Sequence, residues 1–390
     1  MQEFKNKQLK SVCLVVLNNF KNDSRVLKEA ISLKKNGYEV IVLAMLDKGQ
    51  EIDEVKDDIQ IKRIPLKTRS LPKIKPIQFL KYFEFLIKAY LVAKKHNIIH
   101  CNDLNSLPVG VFCKIFNNRK VVYDAHEYEI NHIPNESNIS IRLKYYFENI
   151  LIKYADKVIT VSESIANEYV KLYKIEKPTL IFNTPNYQIV NKSNKFKEIF
   201  NLSNNQKIFI YQGAMSKGRG IELILKTFQD ILLDFKNSKN KFPPVVIFMG
   251  YGPLEENIKN ITKTHENIFF QPAVPPDVLV HYTSSSDFGI SLIEDVCLSY
   301  RYCLPNKLFE YIMSEIPVVV SNLFEMKRFV NENNLGVVLK KNTPKDFKKL
   351  IYNLMKTNSN DFKSNIYKVK SLYNWEEQEK VFLNLYKKLN

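Results

Sequence analysis

Short, nearly continuous apolar runs recur along the chain, separated by longer stretches whose apolar residues return every three or four positions. In the first half the runs fall at 12–17, 40–46, 98–101, 120–123, 157–161 and 179–182. Runs of this kind predict strands buried on both faces of a sheet. Between them, 24–36 and 79–96 carry helical periodicity. The alternation predicts βαβ units around a parallel sheet. From 186 to 206 the pattern lapses into the polar segment NYQIVNKSNKFKEIFNLSNNQ, which reads as a connection between domains. A second series then follows at 208–211, 245–249, 268–270, 288–292, 318–321 and 337–339. The expected architecture is α/β: two doubly wound domains of similar size facing across a cleft. The expected boundaries are 1–187 for the first domain, 188–206 for the linker, 207–372 for the second domain, and 373–390 for a helix that packs back on the first. Ligands of doubly wound sheets bind beyond the carboxyl ends of the strands, so the residues just after each strand are the place to look for chemistry.

Composition sharpens this reading in three ways. At 390 residues, 45% hydrophobic and 25% charged, the chain is a packed protein of more than one domain. Its five cysteines have no close CxxC spacing and several lie in apolar runs, which argues against a disulfide framework or zinc site and for a reducing cytosol. The apolar stretch 12–17 is too short for a signal-peptide core or a membrane span, and no later run is long enough to span a membrane. The net charge of +17 favours an anionic partner, although a bias toward lysine codons accounts for part of it.

Three strand ends carry candidate chemistry. The 208–211 run leads into Tyr211-Gln212-Gly213-Ala214-Met215-Ser216-Lys217-Gly218-Arg219-Gly220. A glycine-bearing loop with two cations at a helix start suits a diphosphate, with Arg219 bridging oxygens and Lys217 adding a point charge. The competing reading is a solvated loop. The 245–249 run leads into Gly250-Tyr251-Gly252-Pro253-Leu254, where glycines let the main chain approach a ligand and a helix start offers N–H groups to phosphate. Taken alone it is equally a plain turn. The third is Leu304-Pro305-Asn306-Lys307-Leu308-Phe309-Glu310-Tyr311. Pro305 suits a helix start, and Lys307 and Glu310 stand one turn apart. They form either a surface ion pair or a site in which the helix start meets phosphate and Glu310 accepts from ribose hydroxyls.

Taken in order, 213–220, 250–254, 286–290 and 305–321 resemble glycosyltransferase family 4. So do stretches of the first half, among them 22–30, 36–40, 103–108, Val122-Tyr123-Asp124-Ala125-His126-Glu127, 158–164 and 183–185. The resemblance spans nearly the whole chain. It implies the GT-B architecture of two Rossmann-like domains, and a retaining, metal-independent hexosyltransferase using a nucleotide sugar as co-substrate with no further cofactor. It implies that Gly213, Lys217, Arg219, Gly250, Gly252 and the turn Leu304, Pro305, Asn306, Lys307 hold the donor, with Glu310 on the ribose. It places His126 against the donor sugar and Asp103 toward the acceptor or sugar, and groups them with Glu310 as the catalytic set. Read without the resemblance, His126 is an ordinary buried histidine and Asp103 a helix cap. The acceptor hydroxyl would attack from the leaving-group side, with a donor phosphate oxygen taking its proton, inside a cleft that closes to exclude water.

Two departures stand out. Tyr302 occupies the place of the first glutamate of the Glu-x7-Glu pair many relatives carry, and Glu294 lies too far upstream to replace it by spacing. The first domain has Asn18-Asn19-Phe20-Lys21-Asn22 where relatives have a glycine-rich loop, which points to a different acceptor. No D-x-D motif supplies metal ligands, so the helix dipole, Arg219 and Lys217 are the expected stabilisers of the leaving diphosphate.

The segment 66–83 interleaves cations with apolar and aromatic side chains, and 140–154 does so again. Both suit docking on anionic lipid, or else are helices with aromatics turned to the core. The expected protein is cytoplasmic and peripheral on the inner membrane face. It would transfer a sugar from a UDP- or GDP-sugar to a glycan or lipid-linked acceptor in cell-surface polysaccharide or glycolipid biosynthesis. The competitors are a catalytically silent glycan- or partner-binding protein and a nucleotide-sugar epimerase or hydrolase of the same fold. A nucleic-acid partner is not expected, because recognised binding motifs are missing.

Overall fold

The computed structural model describes residues 10–72, 74–238 and 242–389. The charged start of the chain and Lys73 of the 66–83 segment lie outside the described residues. The chain forms two compact units. One holds the chain up to His132, Glu136–Ile181 and Glu379 onward; the other holds Ile133–Asn135 and Phe182–Gln378.

The first unit begins with β1 (Ser11–Val15), α1 (Ser24–Lys35), β2 (Glu39–Met45), β3 (Asp53–Lys56), β4 (Ile59–Ile64) and α2 (Lys75–Ala93). It continues with β5 (Ile98–Asn102), α3 (Leu107–Asn117), β6 (Lys120–Ala125), α4 (Asn138–Leu151), β7 (Lys157–Thr160), α5 (Glu163–Tyr173) and β8 (Thr179–Leu180). The sheet order is β3-β4-β2-β1-β5-β6-β7-β8, parallel except for β3 against β4. Every apolar run of the first half is a strand. The β3–β4 hairpin is not among those runs because charged residues alternate through it. Its turn is made by Asp57 and Asp58, both at positive φ (50° and 62°), as a two-residue hairpin turn needs. The order reverses between β1 and β5, so the crevice beyond their carboxyl ends is the expected ligand position of this sheet.

The second unit opens with α6 (Lys195–Phe200), β9 (Ile208–Ala214), α7 (Ile221–Lys236), β10 (Val245–Tyr251), α8 (Glu255–Thr262), β11 (Ile268–Pro272) and α9 (Pro276–Thr283). There follow β12 (Phe288–Ser291), α10 (Leu298–Arg301), α11 (Asn306–Met313), β13 (Val318–Ser321), α12 (Phe324–Glu332), β14 (Gly336–Leu339), α13 (Pro344–Lys356) and α14 (Lys363–Leu372). Its sheet is wholly parallel, in the order β11-β10-β9-β12-β13-β14. One apolar layer packs Ile210, Ile247 and Leu308 on one face, and another packs Phe209, Phe228 and Phe248 on the opposite face. Strand order reverses at β9 and β12, which puts the loops after them at the switch point. The last helix, α15 (Trp375–Lys387), buries Phe382 and Tyr386, and the Tyr386 hydroxyl lies 2.6 Å from His100 Nδ1 at the heart of the first unit.

Candidate functional site

In the second unit, β9 ends at Gly213-Ala214 and β10 at Gly250-Tyr251, and the two glycines are register partners. Gly250 has φ +150°, and a Cβ there would sit 2.1 Å from the Gly213 carbonyl oxygen. No side chain fits, so the two loops leave the sheet side by side. They are then joined by main-chain bonds: the Met215 N–H donates to Tyr251 O at 2.8 Å and the Leu254 N–H to Met215 O at 3.0 Å. Gly252 sits in this joined segment, at the entry to α8.

Lys307, in the first turn of α11, comes to the Gly213 end of this pair. A Cβ on Gly213 would lie 3.8 Å from the Lys307 Cε and Nζ. The ammonium is buried, 3.7 Å from the centroid of the Tyr211 ring. Burial, reinforced by the Arg219 charge and only partly offset by Glu310, lowers its pKa to about 7. Arg219 stacks its guanidinium 4.6 Å from the Tyr300 ring centroid and makes no ion pair among the described residues. Glu310 accepts from Gln212 Nε2 at 2.5 Å, while Gln212 Oε1 accepts from the Thr283 hydroxyl at 2.7 Å and its main-chain N–H donates to the Tyr311 hydroxyl at 3.0 Å. The carboxylate is thereby fixed at the end of β9.

The remaining donor-side candidates take different places. Pro305 is the cap just before α11, whose first residue is the exposed Asn306. The Leu304 side chain is buried in the core, so any part it takes in binding falls to its main chain. Lys217 is exposed on the loop. Tyr302 follows α10, and the Glu294 N–H donates to Gly218 O at 3.0 Å, so the β12 loop reaches the glycine-bearing loop after β9 despite its distance in sequence. With Arg219 near Lys307, and Lys307 at a glycine turn and a helix start, this cluster is suited to an anion.

The first unit builds its cluster from buried charge. Asp124, near the end of β6, is fully buried and takes a bidentate pair from Arg25 of α1, with bonds of 2.8–3.0 Å. Asp23 caps that helix by accepting from the Val26 N–H, which sets Arg25 in its first turn. His126, just beyond β6, places Nε2 3.2 Å from Asp124 and Nδ1 3.5 Å from Asp103. Burial works against the imidazolium, but the charges of Asp103 and Asp124 outweigh it and raise the pKa to about 10. His126 is therefore a cation at neutral pH. Burial also opposes ionisation of Asp124, yet the Arg25 and His126 charges hold it well below the ordinary carboxylate range. Glu29, one turn along α1 from Arg25, is pushed well above that range by burial and by Asp124, and so holds its proton. Glu29, His100 and Asp124 offer atoms within 4.8 Å of one another, a metal-like grouping, but Arg25 already occupies both Asp124 oxygens.

Asp103 stands at the end of β5 with φ +62°, a left-handed conformation held by its N–H donating to Asp124 O at 2.9 Å. It does not cap α3, whose cap residue is Ser106. Sequence reasoning singled out Asp103 and His126, and the structure brings them together. It did not single out Arg25, Asp124, His100 or Tyr386 as site residues. The available signal was the Arg25–Glu29 spacing of one helical turn and the Asp124–x–His126 alternation at a strand end. In the same unit a polar pocket of about 620 Å³ opens at the ends of β1 and β2, lined among others by Asn19, Asn22, Asp47, Gln50 and Glu54. Its wall includes the buried Arg63, which is held by the Asn19 and Glu51 carbonyls and by Glu54. The asparagine-rich loop that departs from the family pattern is thus a pocket wall.

With both clusters described, the chain can be set beside known proteins. Residues 24–184 match the family described as Glycosyltransferase Family 4, and 233–376 match the Glucosyltransferase 3-like, C-terminal domain. An uncharacterized glycosyltransferase of Methanocaldococcus jannaschii is 22% identical over 375 residues, covering 90% of each chain. The chitobiosyldiphosphodolichol beta-mannosyltransferase of Kluyveromyces lactis is 23% identical over 359 residues, covering 84% of this chain and 78% of its own. Among solved structures, sucrose-phosphate synthase from Thermosynechococcus elongatus superposes with a TM-score of 0.78 at 17% identity, over 97% of this chain and 99% of that one. Anabaena HepE in complex with UDP and glucose superposes with a TM-score of 0.72 at 12% identity, over 97% and 98%. At such identities the structures speak for the fold.

Proposed function

This chain belongs to the family 4 glycosyltransferases of GT-B fold, and from that premise we propose that it moves a hexosyl group from a UDP- or GDP-sugar onto a lipid-linked glycan. The observation that carries the reading is the side-by-side glycine turn of β9 and β10 with Lys307 and Arg219 gathered at it. A lysine whose pKa falls to about 7 through burial, with the Arg219 charge adding to it, regains its proton when negative charge arrives, and a nucleotide sugar brings a diphosphate. HepE holds UDP and glucose in a similar fold, and the Kluyveromyces lactis relative is named for a diphosphodolichol-linked acceptor.

In this reading Arg219, Lys217 and the α11 start take the leaving diphosphate, and Glu310 accepts from the ribose diol. These fixed charges make turnover independent of added metal. The bond from the anomeric carbon to the phosphate oxygen breaks, the acceptor oxygen bonds to that carbon on the same face, and the acceptor proton passes to the departing diphosphate. His126, being cationic, is an N–H donor to the sugar and not the base. Asp124 and Asp103 keep it charged. The polar pocket bounded by Asn19, Asn22 and Gln50 receives the hydroxyl-rich head of the acceptor.

The test is transfer of radiolabelled sugar from UDP- and GDP-sugars to a membrane lipid extract in the presence of EDTA. The reading predicts a labelled lipid from one donor, lost with Arg219→Ala or Glu310→Gln. Free sugar released without acceptor would identify a hydrolase, interconverted donor an epimerase, and glycan binding without turnover a silent relative. Each of these would displace the proposal.

A further inference from the structure

The connections β4–α2–β5, β5–α3–β6 and β6–α4–β7 all advance in one direction along the first sheet, so right-handed crossovers place the three helices on one face. α3 packs against both its neighbours, with Tyr90 of α2 edge-on to Phe112 of α3 at 6.4 Å. The outward side of this layer is apolar. On α2, Phe79, Phe83, Ile87 and Leu91 form a one-turn stripe in solvent, with Phe79 65% exposed. On α3, Phe112, Ile115 and Phe116 continue it, Phe116 at 68%.

α4 is the most unusual of the three. Its one buried residue is Glu148, while Ile139, Leu143, Tyr146, Phe147 and Ile150 are exposed, Leu143 at 65%. Glu148 accepts from the phenols of Tyr123, Tyr169 and Tyr173 at 2.6, 2.8 and 2.7 Å. A helix that turns a carboxyl group to the core and its aliphatic side outward is inverted for water but suited to lipid.

Charge decides the occupant. The only acids on the three helices are Glu148, which is buried, and Glu84, which is held by the Lys67 and Thr68 N–H groups and by Lys88. Around them Lys75, Lys95, Arg142 and Lys153 are exposed and make no ion pair among the described residues. Apolar stripes edged by unpaired cations, in a chain of net charge +17, complement an anionic bilayer. We propose that the α2–α3–α4 face is a docking surface that seats the first unit on anionic membrane, with the aromatic and aliphatic stripes entering the headgroup–acyl boundary. The surface is independent of the donor chemistry, so its failure would leave the transferase reading standing.

The experiment is flotation of the full chain with vesicles of equal parts phosphatidylglycerol and phosphatidylcholine, compared with phosphatidylcholine alone. Two variants probe separate helices: Phe83→Gln with Ile87→Gln on α2, and Leu143→Gln with Phe147→Gln and Ile150→Gln on α4. Expected are binding to the anionic vesicles, at least tenfold weaker binding to the neutral ones, and at least tenfold loss in each variant. The variants' melting temperatures should be unchanged or raised, since the replaced side chains are already in water. The proposal is overturned by no binding, by equal binding to both vesicles, or by variants that bind as the parent does. It is also overturned if the parent is a dimer in solution that both variants dissolve, which would make a second copy the occupant.

Discussion

The clusters of the two units handle charge in opposite ways. Around Asp124 every charge has its counter-charge within the fold: Arg25 takes both carboxylate oxygens, and His126 bridges Asp124 and Asp103. Around Gly213 Lys307 and Arg219 face the single carboxylate of Glu310, and burial together with the Arg219 charge brings the Lys307 pKa down to about 7. A balanced buried cluster is a preorganised scaffold that orients a polar side chain, whereas an unbalanced one awaits a charged ligand. Under the proposed function, the balanced cluster is the one matched to a neutral, hydroxyl-rich ligand and the cationic one to a nucleoside diphosphate.

The comparison is broken most severely from the first unit. Arg25→Met leaves Asp124 buried without its partner and should cost about 3–5 kcal/mol of stability, read as a lower urea midpoint. The sign of the pH dependence follows from the same pairs. Asp124 is depressed in the fold, so its contribution is present above the ordinary carboxylate pKa and is lost as pH falls further toward its folded value. His126 is raised, so its contribution is complete below its ordinary pKa and is lost as pH rises through about 10. The contributions of Asp124 and His126 are thus constant between the ordinary pKa values of the two groups, and His126→Gln should remove the loss that His126 contributes as pH rises toward about 10.

Next in size is Glu310→Gln, which leaves Gln212 with an amide partner in place of a carboxylate. It should lower kcat/KM by about a hundredfold or more while moving the urea midpoint little. A comparable loss of stability would mean that Glu310 is structural. The smallest effect is on protons. Lys307 is half-charged near pH 7, and a bound diphosphate favours the charged form, so donor binding should take up a fraction of a proton. Affinity for an intact nucleotide sugar should therefore fall as pH rises above about 7, by up to tenfold per unit. Calorimetry in two buffers of different ionisation enthalpy measures the uptake, and Lys307→Met should erase it.

Much of this was readable in the residues, and the exceptions share a cause. Strands buried on both faces announce themselves as apolar runs, so twelve of the fourteen strands among the described residues were placed. The β3–β4 hairpin escaped because its pattern of Ile59, Ile61 and Ile64 between charged neighbours resembles a solvated loop. The glycine turns were legible because glycine at positive φ is a local requirement. The pairing of Gly213 with Gly250 is not local, and it emerges only from strand register. Arg25 and Asp124 are 99 residues apart, and His100 and Tyr386 are 286 apart. No periodicity links such pairs; the strand order of the sheet does.

The central claim is that the second unit holds a nucleoside diphosphate at the Gly213–Gly250 pair through Arg219 and Lys307. Its most direct test is the melting temperature of the chain with UDP, GDP, ADP and CMP, each with and without magnesium, alongside Arg219→Ala. The account predicts that one diphosphate raises the melting temperature selectively, without need of magnesium, and that Arg219→Ala abolishes the rise. No rise with any nucleotide at millimolar concentration, or an equal rise in Arg219→Ala, would contradict it.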